Sequence, residues 1–479
     1  MNVIGNFGLD ELCDQPASEL ARRIRAKEVS AVEVVSAHLA RIERLNPALN
    51  AIVTLHADEA LDRARDADAR QARGERLGAL HGLPVAHKDS MLTRGMRTTW
   101  GSPIYKDFVP DQDCTIVARQ RAAGAIAVGK TNVPEFTAGS QTFNTVFGAT
   151  RNPYDPSKTC GGSSGGSAVA LACGMVALAD GSDLGGSLRN PANFCNVVGL
   201  RPSVGRVSRA PSQDVWNTLA VNGPMARTVE DVGLYLSVLA GPDPRDPLTF
   251  AEDGAIFGAL HARDFKGTRV AWSADLGGLP VDPAVTAALE SQRGALTELG
   301  CAVEETSPNL DGADEVFQTL RGVLFVNEFG DLLDRYPNAF KDTIVWNVQF
   351  GRVLSSEQIA RATRLHTQVF GRMQAFMQRY EFLIAPVNQV APFPVEVPYV
   401  TEIAGVKMEN YLDWMRSCSW ITVTGHPAIS VPCGFTADGL PVGVQIVGRY
   451  RDELGLLQFA RAFEQRTQTG RRRPALPPA

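Results

Sequence analysis

Histidine, aromatic residues and clustered cysteine are all scarce in this chain, and each shortage removes a class of chemistry. Seven histidines and 7% aromatic residues are spread over 479 positions, and His261, His366 and His426 fall in no recognisable motif. The eight cysteines, at 13, 114, 160, 173, 195, 301, 418 and 433, form no CxxC pair and no metal-like spacing. That pattern implies no metal site and fits a reducing cytoplasm with mostly buried thiols. Cys160 lies beside a serine-rich stretch, where it either lines a site or packs inertly. No apolar run reaches transmembrane length. The start, MNVIGNFGLDEL, lacks a basic n-region and an apolar h-region, so no secretory signal is expected. A net charge of −5 and a pI near 5.9 argue against binding to nucleic acid or an anionic membrane. A soluble, cytoplasmic protein is expected. Its 44% hydrophobic content allows a large core. Length alone suggests about three domains, but no linker-like composition divides the chain, so one large domain is expected.

What the chain does have is concentrated between Ser157 and Pro191. Two glycine-serine clusters, Gly161 to Ser167 and Gly185 to Ser187, flank an alanine-rich apolar segment. Ser164 and Ser167 can cap a helix that Ala168 to Ala172 propagate. Gly174 should end it, and Met175 to Ala179 read as a short buried strand. Asp183 to Ser187 then read as a loop whose glycines let the backbone approach a ligand. A flexible linker would not flank a helix pattern. A phosphate-cradling loop would need Gly-Lys-Ser/Thr or GxGxxG, and neither is present. Gly161 to Gly165 formally satisfy G-x-S-x-G, the nucleophile elbow of α/β-hydrolase esterases, which needs an acid and a histidine later in the chain. The remaining reading is a serine nucleophile with a base other than histidine, and lysine is the usual substitute. Lys88 follows the apolar run Leu83 to Ala86 and precedes polar residues, as at the end of a buried strand. It is either an ordinary strand-end lysine or a base whose pKa burial has lowered.

Lys88 and Ser163 stand 75 positions apart (163 − 88), and Ser163 and Ser187 stand 24 apart (187 − 163). With that spacing, the segments GLPVAHKDS, AAGAIAVGKTNVPEF, FGATRNPYDP, CGGSSGGSA, GSDLGGSLRNPA, VVGLRPSVGRVSR and GPMARTVEDV resemble the amidase signature family. GHPAISVPCGF and GLPVGVQIVGRYRDELGLLQFARAFE, near the end, are also similar to it. The resemblance covers most of residues 15 to 465 and implies a Ser-cisSer-Lys triad. Ser187 would be the nucleophile, Ser163, held by a cis peptide from Gly162, the bridge, and Lys88 the general base. The N–H groups of Leu184, Gly185, Gly186 and Ser187 would form the oxyanion hole, with Ser164, Asp183 and Arg189 as supports. Thr137, Ala138, Gly139 and Ser140 match positions that line the acyl pocket, and Trp216, in a loop, is a further candidate to face the site. Many members have Thr-Asp-Thr where this chain has Ser182-Asp183-Leu184. The resemblance implies a small-molecule amide substrate, no cofactor and, as is common in the family, a homodimer. The amidase subunit of a glutamyl-tRNA(Gln) amidotransferase is the main alternative. That subunit carries Ser-Ser-Leu-Asp-Gln where this chain has Asn217-Thr218-Leu219-Ala220-Val221.

The fold implied is α/β: a single large domain, 1–479, with a central, mixed, mostly parallel twisted sheet covered by helices on both faces. Residues 1–70 read as N-terminal amphipathic helices. Ser30 and Glu33 form a capping box, Val32, Val35, Leu39 and Ile42 share one face, and Asn46-Pro47 close that helix. Residues 71–250 form the signature core, in which Thr115 to Ala123 is a helix ended by Gly124 and followed by the strand Ala125 to Val128. Thr228 should open another helix with Asp231 as its capping partner. In the variable part, 251–425, Asp282-Pro283 start a helix that ends at Gly300, Cys301 to Glu305 is a strand, and 306–380 are helical. Residues 426–465 supply the C-terminal strands and helix. Gly470 to Ala479, with three arginines and three prolines, read as a disordered tail.

Overall fold

The computed structural model describes residues 9–475, so the expected lack of a signal at the extreme N-terminus lies largely outside the described residues. Eleven strands build one sheet: β1 (Ile52–Leu55), β2 (Pro84–Lys88), β3 (Ile126–Thr131), β4 (Leu178–Asp183), β5 (Val198–Arg201), β6 (Val221–Ala226), β7 (Arg269–Trp272), β8 (Ala302–Glu305), β9 (Phe382–Pro386), β10 (Ala428–Phe435) and β11 (Pro441–Val447). Their spatial order is β1-β3-β2-β4-β6-β5-β10-β11-β9-β7-β8. The sheet is mixed. Parallel pairing is gathered in two blocks, β3-β2-β4 and β9-β7-β8, and the pairs between them are antiparallel.

Alternation along the strands feeds a hydrophobic layer on each face. Val85, Leu178, Ala226 and Val270 enter one core, beneath the helices Ala17–Arg25, Thr115–Ala122, Val229–Leu239 and Glu453–Thr467. Their chain neighbours Ala86, Ala179 and Met225 face the opposite core, under the helices Ala31–Leu49 and Gly165–Ala172. Ala271, Leu383 and Ala385 continue that face beneath the helices Ala313–Arg335 and Ser356–Arg379. Helices therefore cover both faces, as expected for this class. No helix among the described residues is long and apolar enough to cross a membrane.

The local signals fare unevenly. Ser30 and Glu33 do form a capping box, but the helix runs through Asn46-Pro47 to Leu49 and closes at Asn50, whose φ of 54° is left-handed. Pro47 forfeits the helix hydrogen bond its amide would make, and the Asn46 side chain clasps the exit by accepting from the Ala51 and Ile52 amides. Thr228 caps its helix through the Asp231 amide, whereas the Asp231 carboxylate reaches Ala17 and Ser18 and caps a different helix. The stretch Asp282 to Gly300 divides into two helices, Pro283–Glu290 and Arg293–Glu298, with a break at Ser291-Gln292. The expected disorder of the tail is not met over its first residues. Thr469–Arg471 form a short 3-10 turn, and the Arg472 guanidinium lies 3.9 Å from the Phe435 ring centroid. Residues 476–479 lie outside the described residues.

Candidate active site

The site forms where the parallel neighbours β2 and β4 end. Val85 pairs with Leu178 and Ala86 with Ala179, so the last residues of both strands, Lys88 and Asp183, emerge at one edge. Lys88 is fully buried. Its Nζ donates to Ser163 Oγ at 2.7 Å, Ser164 Oγ at 3.0 Å and Ser182 Oγ at 2.9 Å. All three acceptors are neutral hydroxyls, so no adjacent carboxylate holds the ammonium. Burial brings Lys88 from its ordinary value down to about 7, against the opposing pull of Asp183 and Asp180. Asp180 fixes the strand end from below by accepting from the Lys88 amide at 2.8 Å, with His87 Nδ1 at 2.6 Å on its other oxygen.

The Gly162–Ser163 peptide is cis. The helix Gly165–Ala172 begins immediately afterwards and is buried along its whole length. Ser164 occupies the position before that helix but makes no side-chain cap; its hydroxyl faces Lys88 instead. Ser167, the other expected cap, donates to the Asp180 carbonyl at 2.9 Å. The Ser164 amide donates to the Ser187 carbonyl at 3.2 Å, which ties the first serine loop to the second.

The second loop turns around the buried Asp183 carboxylate. Asp183 accepts from the Gly186 and Leu188 amides, from two Arg189 nitrogens and from Arg201 Nη1. Burial alone would push its carboxyl up, but Arg189 and Arg201 hold it well below the ordinary carboxylate range. Gly186 has φ +116°, and a Cβ there would meet the Cys418 Cβ at 2.6 Å, so only glycine fits. Ser187 follows, partly exposed, and its hydroxyl has no hydrogen bond among the described residues. Asp183 also removes one of the four expected oxyanion donors, because the Gly186 N–H is already taken at 2.9 Å. The amides of Leu184, Gly185 and Ser187 remain without a protein acceptor among the described residues.

A nucleophile-bearing loop with unoccupied amides, beside a buried lysine held by serines, can support acyl transfer. The family model described as Amidase matches residues 33–457. The chain belongs to the amidase signature family. It is 35% identical over 490 residues to the A subunit of a glutamyl-tRNA(Gln) amidotransferase from Moorella thermoacetica, with 97% of this chain and 99% of the relative covered. It is 34% identical over 463 residues to an acylamidase from Rhodococcus erythropolis, covering 96% and 97%. A solved bacterial aryl acylamidase of the amidase signature family superposes with a TM-score of 0.91 at 28% identity, covering 97% of this chain and 99% of that one. The chain is accordingly an amide hydrolase.

A cavity of about 660 Å³ opens onto the amidase site at Ser182, Asp183 and Leu184. Of the four expected pocket residues, only Thr137 lines it. Ala138 is buried among Phe325, Phe329 and Phe340, with its carbonyl bonded to Lys341 Nζ. Gly139 stands off the lining, and Ser140 is buried with its hydroxyl between Asn190 Nδ2 and Met415 Sδ. Trp216 is 70% exposed and does not face the cavity. Asp214 and Asn217 bond the amides of Trp216, Leu219 and Ala220, a turn that buries Leu219 and leaves the indole outside. Cys160 is fully buried and packs away from the cavity, whereas Cys114 lines it.

Sequence reasoning missed Ser182, Asp180 and Arg201. Asp180 and Ser182 interrupt β4, and a charge or hydroxyl inside a strand is the signal that could have found them, whereas Arg201 closes β5 and its partner lies on another strand.

Proposed function

We propose that this chain is a free-standing amidase that hydrolyses an aliphatic or aryl carboxylic amide through an acyl-enzyme on Ser187. The observation that carries the reading is the fully buried Lys88 Nζ, 2.7 Å from Ser163 Oγ, with neutral hydroxyls as its only hydrogen-bond partners among the described residues. A lysine near pKa 7 is neutral in much of its population at physiological pH, and so can accept a proton. Ser187 Oγ attacks the amide carbonyl while its proton passes through Ser163 to Lys88. The developing oxyanion is met by the N–H groups of Leu184, Gly185 and Ser187. The Lys88 ammonium then returns its proton, again through Ser163, to the leaving nitrogen, and amine departs. Water attacks the ester on Ser187 with Lys88 once more as base, which releases carboxylate and restores the serine.

Ala220 and Val221 stand where the amidotransferase subunit carries Asp-Gln, and both line the cavity. Two apolar side chains at these positions, in place of an acid and an amide, favour a plain amide over the amidotransferase reading. Amine release by the purified chain from aliphatic amides, benzamides, anilides, esters and glutamine, with Ser187→Ala alongside, tests the proposal. Turnover that the variant abolishes supports it. Turnover unchanged in Ser187→Ala, or none from any simple amide, contradicts it.

A further inference from the structure

The cavity carries two opposite charges that do not pair with each other. Arg209 comes from the loop after β5, and Glu328 from the helix Ala313–Arg335; both line the cavity. Each is the other's foremost charged neighbour, yet no ion pair joins them among the described residues. The Arg209 backbone is anchored by its amide to Asp246 Oδ2 at 2.9 Å, and its guanidinium makes one hydrogen bond, Nη1 to the Asp214 carbonyl at 3.3 Å. The Glu328 carboxylate makes none among the described residues. The same cavity is lined by Trp100, Phe136, Leu324 and Phe329 and by the neutral polar side chains of Gln112, Ser212, Gln213 and Asn222. Burial pushes the Glu328 carboxyl up and the Arg209 guanidinium down.

Such a lining selects its occupant. A carboxylate substituent would satisfy Arg209 but face the charge of Glu328, and an ammonium would do the reverse. An alkyl tail would leave both charges without partners once it displaced water. A neutral group with an acceptor and a donor side by side meets both requirements. We propose that Arg209 and Glu328 form a second subsite in the cavity, for a second amide-like group of the substrate (carboxamide, urea or carbamate), its C=O accepting from Arg209 and its N–H donating to Glu328. The proposal rests on the amidase reading above and deepens it by naming the substrate class.

The test uses pairs of amides. Each pair is an α,ω-diamide with a short methylene spacer and its isostere, in which the terminal carboxamide is replaced by isopropyl. The wild type should favour the best diamide by at least about tenfold in kcat/KM, the range expected for hydrogen bonds to charged groups. In Glu328→Leu and in Arg209→Met that preference should collapse towards one. A wild type without the preference, or variants that keep it, overturns the subsite. Calorimetry of the same pairs on Ser187→Ala separates the two proposals. A diamide preference in binding that Glu328→Leu removes sustains the subsite even if no amide is hydrolysed. Equal binding of both members of every pair overturns it, whatever the turnover.

Discussion

Two lysines buried on adjacent strands, Lys88 on β2 and Lys130 on β3, show what turns a buried amine into a base. Both are fully buried, and burial lowers the pKa of both. Their strands run parallel, with His87 opposite Lys130 and Lys88 opposite Thr131. The difference lies in the partners. Lys88 Nζ meets three serine hydroxyls beside the cavity. Lys130 Nζ is bonded to the Met91 carbonyl and to Thr93 Oγ1, with the buried Asp89 as the charge that most favours its ammonium. The Met91 carbonyl has no proton to relay, and the Thr93 hydroxyl spends its own on that carbonyl, so the chain from Lys130 ends in the core. Burial makes a lysine titrate low; a hydroxyl chain leading to the substrate makes it useful.

Replacing each lysine breaks the comparison most directly. Lys88→Met should lower kcat on the order of 10³-fold or more with the fold retained, measured by steady-state amine release and by circular dichroism. Lys130→Met should act on stability instead. It removes one of the two donors to the Met91 carbonyl and the ammonium that most favours the buried Asp89 carboxylate, and should cost roughly 1–3 kcal/mol in denaturant unfolding, with much of kcat kept in the folded fraction. The pH profile sharpens the same contrast. Protonated Lys88 cannot accept a proton, so kcat/KM should fall about tenfold per unit below pH 7 and level off above it. Asp180→Asn keeps an acceptor for the Lys88 amide but removes a negative charge that favours the ammonium, so the midpoint of that profile should move to lower pH. Trp216→Ala should do least, with activity and stability close to wild type, because the indole is exposed and outside the cavity.

What could be read from the sequence follows the same division. Lys88, Ser163, Ser164 and Ser187 are close to glycines or strand ends whose local pattern marks them, and the structure brings their loops together. The Asp183–Arg189 pair, six residues apart, was also within reach of local reading. Arg201 was not, because its contact to Asp183 depends on β5 lying two places from β4 in the sheet. The pocket wall was the least legible. The helix Ala313–Arg335 gives Leu324, Glu328, Phe329 and Leu332 to the cavity, from a part of the chain where helical periodicity shows a buried face but not what it faces. The same gap explains Trp216, since an aromatic residue in a loop carries no sign of which way the turn will point it. The helix Pro283–Glu290 shows the remaining weakness: Asp282 caps it and Gly300 ends the stretch, but nothing in the periodicity marks the break at Ser291.

The most direct test of a lysine-driven serine nucleophile is the rate of Ser187 acylation as a function of pH, followed by intact mass with an activated ester and located by peptide mapping. One acyl group is expected, on Ser187, forming at a rate that rises with pH and reaches half its plateau near 7. In Lys88→Met the rate should be slow and the pH step absent. Label on another residue, or an unchanged pH step in Lys88→Met, would contradict the mechanism.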